Sequence, residues 1–150
     1  RASAQVFSKN ASGSIIYHTG DVGIMRDGKI FWAGRISDGF KLANGEYVNP
    51  DKIETLEEEI RKIDPRINEV MICGPNRLYL TALIFSEKYT VEDLRAKIQE
   101  RLPKIGEGTM GVRKFVVVDT GKLELTPTMK VKRKAISEKL ASVIDSLYKN

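Results

Sequence analysis

The sequence is poor in the residues that staple or metallate small domains, with a single cysteine, Cys73, and a single histidine, His18, among 150 residues. A lone thiol excludes the internal disulfide framework of small secreted folds and agrees with a reducing compartment. One cysteine and one histidine also fall short of a usual zinc site, so no metal ligand set is expected from this chain. No apolar run reaches the ~20 residues that cross a bilayer. The opening RASAQVFSKNASGS lacks the apolar stretch that a secretory signal needs. It begins without Met, which reads as a piece of a longer chain. No G-x-x-x-x-G-K-[ST] run occurs, which excludes a P-loop.

What remains is a soluble globular composition, 41% hydrophobic and 30% charged. A chain of this length fits one domain, or a small domain with an appendage, and can bury a core unaided. The net charge of +5 invites a nucleic-acid reading. The charges are sorted, however, into acidic DKIETLEEE at 51–59 and basic KVKRK at 130–134. Two solvated helix faces explain that pattern better than a duplex-binding stripe, and no nucleic-acid partner is expected.

Turn residues punctuate the chain. Residues 1–14 read as a loop or tail. Asp27-Gly28 inside GIMRDGKIFWAGR and Asn44-Gly45 inside DGFKLANGEYV predict two hairpins, because tight turns need positive φ. Asn49-Pro50 opens a helix carrying Ile53, Leu56, Ile60 and Ile63, which Pro65 stops. Strands near 68–73 and 77–86 flank a Gly74-Pro75-Asn76 turn. A capping box at Thr90 and Asp93 starts a helix with Val91, Leu94, Ile98 and Leu102 on one face. A buried strand at 115–119 and one last helix with Ala135, Ile136, Leu140, Val143, Ile144 and Leu147 complete an α+β domain.

Several tempting motifs have blander explanations. GEGTMG at 106–111 matches G-x-G-x-x-G, but it follows a helix and precedes a strand, the reverse of a dinucleotide loop. Cys73 reads as a small core residue, and Trp32 and Tyr47 as packing residues. His18 reads as a solvated or hydrogen-bonded side chain, and Glu57-Glu58-Glu59 as a solvated face.

Three stretches resist such treatment together: YHTGD at 17–21, GRISDGFKLANGEYVNP at 34–50, and LTPTMKVKR at 125–133. In this order they resemble the C-terminal part of the adenylate-forming enzymes, which include acyl-CoA synthetases, peptide-synthetase adenylation domains and luciferases. The resemblance covers residue 17 to the end. It implies the family's small C-terminal domain, hairpins followed by a short sheet covered by helices. Residues 1–36 would end a large N-terminal domain, and 37–150 would form the mobile small one. The resemblance puts Asp21 on the ribose hydroxyls of ATP, Arg35 on ribose or phosphate, and Lys41 among the nucleotide-binding residues. It puts Ser37 and Asp38 at the interdomain hinge, where many members have Asp or Lys in place of Ser37. Gly45 and Glu46 would line the pantetheine channel.

LTPTMKVKR resembles the family element P-x-x-x-G-K-x-x-R, whose lysine contacts the acyl carboxylate and ATP. Lys130 fits better than Lys122 of the nearby Gly121-Lys122, because Pro127 precedes it by three and Arg133 follows it by three. Met129 stands where the family glycine would be. Lys132, Arg133 and Lys134 read as helix-start surface or local contacts. Gly-Glu-Tyr-Val and Thr-Pro-Thr are similar to long-chain fatty acyl-CoA synthetases, with carboxylic acid reductases and peptide synthetases as alternatives. A stand-alone binding or regulatory module is a further alternative, and a phosphate loop upstream of residue 17 would decide against it. The implied cofactors are ATP and Mg2+, held mainly by the N-terminal domain, with CoA as co-substrate. The implied partners are a fatty acid and that N-terminal domain. A cytoplasmic location is implied, with peripheral membrane association left open.

Overall fold

A computed structural model of the chain describes residues 7–106 and 108–149. Three hairpins come first. β1 (Phe7–Lys9) pairs antiparallel with β2 (Ile15–Tyr17), so the predicted loop is ordered from residue 7, while residues 1–6 lie outside the described ones. Its turn is organised by Asn10, whose Oδ1 accepts the amides of Ser12 at 3.1 Å and Ser14 at 2.9 Å. Such local capture of the backbone is invisible in composition. β3 (Asp21–Arg26) and β4 (Lys29–Arg35) meet across Asp27 and Gly28, both left-handed at φ +50° and +75°. β5 (Phe40–Lys41) and β6 (Tyr47–Val48) flank a turn where Gly45 takes φ +87° and Asn44 Oδ1 accepts the Glu46 amide at 2.9 Å.

Helix α1 (Pro50–Arg61) starts as predicted. Asn49 is extended, and its side chain accepts the Lys52 amide at 2.8 Å while Pro50 occupies the first turn. The three-stranded sheet that follows runs β7 (Glu69–Cys73), β8 (Leu80–Ser86), β9 (Val112–Asp119). β7 is antiparallel to β8, and β9 is parallel to it through helix α2 (Glu92–Arg101). Alternation along the central strands serves two cores. Val70, Ile72, Leu80, Ala82 and Ile84 pack with Ile53, Leu56 and Ile60 of α1 and Leu94 and Ile98 of α2. On the other face Met71, Cys73, Leu83 and Phe85 pack with Ile136 and Leu140. Every residue of β8 is buried, as expected of a strand covered on both faces.

Four expectations are corrected. The capping box does not form: Val91 is the N-cap of α2 without a side-chain bond, and the Asp93 carboxylate accepts from Arg66 at 3.0 Å instead. β9 is longer than predicted and only half-buried, because it is an edge strand with Arg113 and Lys114 exposed. The last helix breaks at Leu140 (φ −106°, ψ 23°) into α3 (Arg133–Lys139) and α4 (Ala141–Ser146). Past the break, Tyr148 donates its hydroxyl to the Tyr79 carbonyl at 3.0 Å, and Arg77 covers its ring at 4.5 Å. Trp32 does not pack: it is 67% exposed. Cys73 is the core residue expected, and burial pushes its thiol up to about 12.

Asp64, buried after α1, accepts the Arg66 amide at 2.8 Å, Arg66 Nε and Nη2 at 2.9 Å, and Lys97 Nζ at 3.1 Å. The Arg66 side chain above all holds its carboxyl far below the usual carboxylate range. A depressed folded value means the stabilisation is present above the unfolded value of ~3.9 and fades as pH falls through the folded one. Asp64→Asn is therefore expected to cost about 2 kcal/mol at pH 7, the scale of charge-assisted hydrogen bonds. In urea unfolding the gap between variant and wild type should narrow below pH 4. A gap independent of pH would refute this role.

Candidate functional site

The loop that carries Lys130 is a small tab between the 3₁₀ turn Thr120–Lys122 and α3. Leu125 bridges Val131, and inside that bridge the Thr126 amide donates to the Lys130 carbonyl at 2.7 Å. Thr126 Oγ1 accepts the Lys130 amide at 3.1 Å and lies 3.1 Å from Thr128 Oγ1. The Met129 amide donates to the Thr126 carbonyl at 2.9 Å, which closes the turn and leaves Lys130 exposed beside its tip. Met129 takes φ +64°, a conformation that glycine adopts freely and L-residues do not. Methionine here holds a backbone conformation better suited to glycine. Met129→Val is expected to destabilise by about 1–2 kcal/mol and Met129→Gly to be neutral or stabilising. Thermal unfolding checks the ranking, and the reverse order would mean the left-handed turn is not retained.

Beneath the tab lies a pair that sequence reasoning missed. Arg133 donates through Nη1 and Nη2 to the two carboxylate oxygens of Glu57, at 2.7 and 2.6 Å, and Glu57 also accepts the Ile72 amide at 2.9 Å. Glu57 is thus not part of a solvated face. Burial pushes its carboxyl above the ordinary range, against the lowering pull of Arg133. A signal existed: Glu57 is four residues after Ile53 and three before Ile60, on the apolar stripe of α1.

The predicted hinge follows β4. Ile36–Asp38 form one 3₁₀ turn, entered from extended Arg35 and left through extended Gly39. Tyr47 donates its hydroxyl to the Ile36 carbonyl at 3.1 Å and lies where a Cβ on Gly39 would be, so a side chain there would displace it. Ahead of the turn, Asp21 and Arg35 face each other across the β3–β4 register and form an ion pair at 2.9 Å. The Arg35 guanidinium lies over Gly20, where an added Cβ would approach to 2.9 Å. Tyr17–His18 precede this pair, and His18 Nε2 is 2.7 Å from Ser8 Oγ, an exposed hydrogen bond.

Ser37, Asp38 and Lys130 line one open groove of about 1110 Å³, together with Trp32, Lys132 and Arg133. Asp21 and Arg35 are brought together as a pair outside that lining. Lys41, Gly45 and Glu46 stay on the β5–β6 hairpin, also outside it. That hairpin is tied to the β7–β8 turn, where the Asn76 amide donates to the Lys41 carbonyl and the Ala43 amide to the Arg77 carbonyl, both at 2.8 Å. Gly45 has open space where a Cβ would be. The 106–111 glycines border a second cavity of about 1040 Å³ beside β9. Gly106 there packs against backbone, a Cβ lying 2.5 Å from the Met110 carbonyl oxygen, and Glu107 is outside the described residues. Among the described residues no group of three His, Cys, Asp or Glu could hold a metal, and no helix is long and apolar enough to cross a membrane.

The family model for the AMP-binding enzyme C-terminal domain matches residues 38–150. The chain belongs to this family of adenylate-forming enzyme domains. Among its relatives, the long-chain-fatty-acid–CoA ligase FadD15 of Mycobacterium tuberculosis is 30% identical over 163 residues, covering 88% of this chain and 26% of that protein. The D-alanine–D-alanyl carrier protein ligase of Bacillus velezensis is 32% identical over 133 residues, covering 85% and 25%. In fold, the adenylation domain of a carboxylic acid reductase from Segniliparus rugosus, solved with AMP and a carboxylic acid, superposes with a TM-score of 0.72. It is 22% identical over 99% of this chain and 25% of that one. The chain thus spans about a quarter of the length of the relatives it matches.

Proposed function

We propose that the chain is the C-terminal part of an ATP-dependent long-chain fatty acid–CoA ligase and supplies the lysine of the adenylation step. The observation that carries this is the tab: a Thr-Pro-Thr turn, closed by its own hydrogen bonds, that presents Lys130 at a groove shared with Ser37 and Asp38. Carboxylate and ATP give acyl-adenylate and pyrophosphate, and a thiol then takes the acyl group. Two anions must approach at the α-phosphate, and a fixed ammonium offsets their repulsion as charge builds. Lysine suits this as a compact cation on a long stem. Asp21 and Arg35, already paired, fit the ribose and phosphate contacts, with Lys41 as a further nucleotide ligand. Residues 1–36 belong with the upstream domain, 37–150 move about Ser37 and Asp38, and the Gly45–Glu46 turn lines the pantetheine channel in the second step. The open space beside Gly45 suits close approach of a ligand to backbone. Mg2+ would enter with ATP on the upstream part, as the resemblance to adenylate-forming enzymes implies.

The test is the full-length parent with a long-chain fatty acid, ATP and CoA, where acyl-CoA and AMP are the expected products. Acyl-adenylate without acyl-CoA would favour the second reading, an adenylation domain of a carboxylic acid reductase, a protein with which the chain shares its fold. The 150-residue chain alone is expected to make no measurable acyl-CoA from the same substrates. Turnover by it would sink the reading of the chain as a dependent part.

A further inference from the structure

Glu57 is the member of the 57–59 run that the fold takes out of water, at 7% exposure. Its carboxylate serves donors from two other elements, the forked guanidinium of Arg133 at 2.6 and 2.7 Å and the Ile72 amide of β7 at 2.9 Å. A bidentate fork fixes orientation as well as distance, which a single point contact does not. The pair lies beside the edge of β7, where α1 on one face of the sheet meets α3 on the other.

From Arg133 the connection runs into the tab. The Arg133 amide donates to the Val131 carbonyl at 3.0 Å, and the Lys132 amide to the Glu124 carbonyl at 2.9 Å. Val131 bridges Leu125, and Thr126 bonds the Lys130 carbonyl. Only Val131 and Lys132 separate Arg133 from Lys130. The tip itself is exposed, and the other ion pair at its base, Lys139 with Glu124 at 3.6 Å, is solvated and long. Exposed pairs of that kind hold little. Leu123 and Val131 pack against the second core, and the buried polar anchor of the tab is the Glu57–Arg133 fork.

We propose that Glu57 and Arg133 are positioning residues for Lys130, the carboxylate clamping the guanidinium that closes the base of the tab and so setting where the ammonium stands in the groove. The proposal rests on the reading of Lys130 as the adenylation lysine. A displacement of about 1 Å at a reacting group costs up to ~10²-fold in rate, so a loosened clamp is kinetically visible even in a folded protein.

The experiment uses the full-length parent carrying Glu57→Gln, which keeps volume and removes charge, and separately Arg133→Lys, which keeps a cation and removes the fork. Adenylation is read by ATP–pyrophosphate exchange, and the second step by thioester formation from supplied acyl-adenylate. Each variant is expected to slow adenylation about 10-fold or more while thioester formation stays near wild type. In a Lys130→Ala background neither should slow adenylation further, because the ammonium they position is gone. Unchanged adenylation, equal slowing of both steps, or a full additional loss in that background would each overturn the proposal. If Glu57→Gln lowers the thermal midpoint below assay temperature, Arg133→Lys carries the same comparison. Lys130→Ala that leaves adenylation intact would overturn the reading of Lys130 and this proposal with it, and that outcome is seen in the single variant alone.

Discussion

Lys130→Ala in the full-length parent is expected to slow acyl-adenylate formation by about 10²–10³-fold, the usual loss when one preorganised donor to developing charge is removed. Thioester formation from supplied acyl-adenylate should be spared, because the charge that Lys130 offsets has left with pyrophosphate. Lys130→Arg is expected to recover little, since a broad planar fork does not replace a compact ammonium at one point. The neighbouring Lys122, which follows a literal Gly121, provides the internal control. It lies in the one-turn 3₁₀ segment Thr120–Lys122 and outside the groove lining, so Lys122→Ala should leave both steps near wild type. Loss of adenylation with Lys122→Ala and not with Lys130→Ala would reverse the assignment.

Phe85→Ala is expected to cost about 3–5 kcal/mol, the range for deleting a fully buried aromatic ring. Phe85 is 0% exposed on the central strand, where it fills the core between the sheet and Ile136 and Leu140. For a chain of this size that loss corresponds to a fall of roughly 6–20 °C in thermal midpoint. The larger Trp32 makes the contrast. At 67% exposure it buries little, and Trp32→Ala should change stability in the 150-residue chain by no more than about 0.5 kcal/mol. Similar effects at the two positions, by denaturant or thermal unfolding, would contradict the contrast between a core Phe85 and an exposed Trp32.

The second core also explains why the end of the chain was only partly legible. Ile136 and Leu140 recur at helical spacing, and both are buried as read. The spacing did not show that the helix breaks at Leu140, since both halves keep helical hydrogen bonds through it: the Leu140 amide to Ile136 and the Ile144 amide to Leu140. Trp32 departs from the expected packing for a related reason. A large aromatic on an alternating strand looks like core, but β3 and β4 form a sheet of two strands, and a two-stranded ribbon covers neither of its own faces.

The sequence by itself determined what rests on neighbours along the chain: the Asp27-Gly28 and Gly45 turns, the Asn49-Pro50 start of α1, the apolar stripes, and the motif order that resembles the adenylate-forming enzymes. These follow from backbone sterics and capping within a few residues, so composition and spacing carry them. Only the tertiary structure decided that Glu57 leaves water, that β9 is an edge, that Asp93 serves Arg66, and that Ser37, Asp38 and Lys130 share a groove. The partner that makes Glu57 a buried ion lies 76 residues away. A carboxylate is withdrawn from water only where a matching donor has been folded against it, and that match is a property of packing that no local pattern contains.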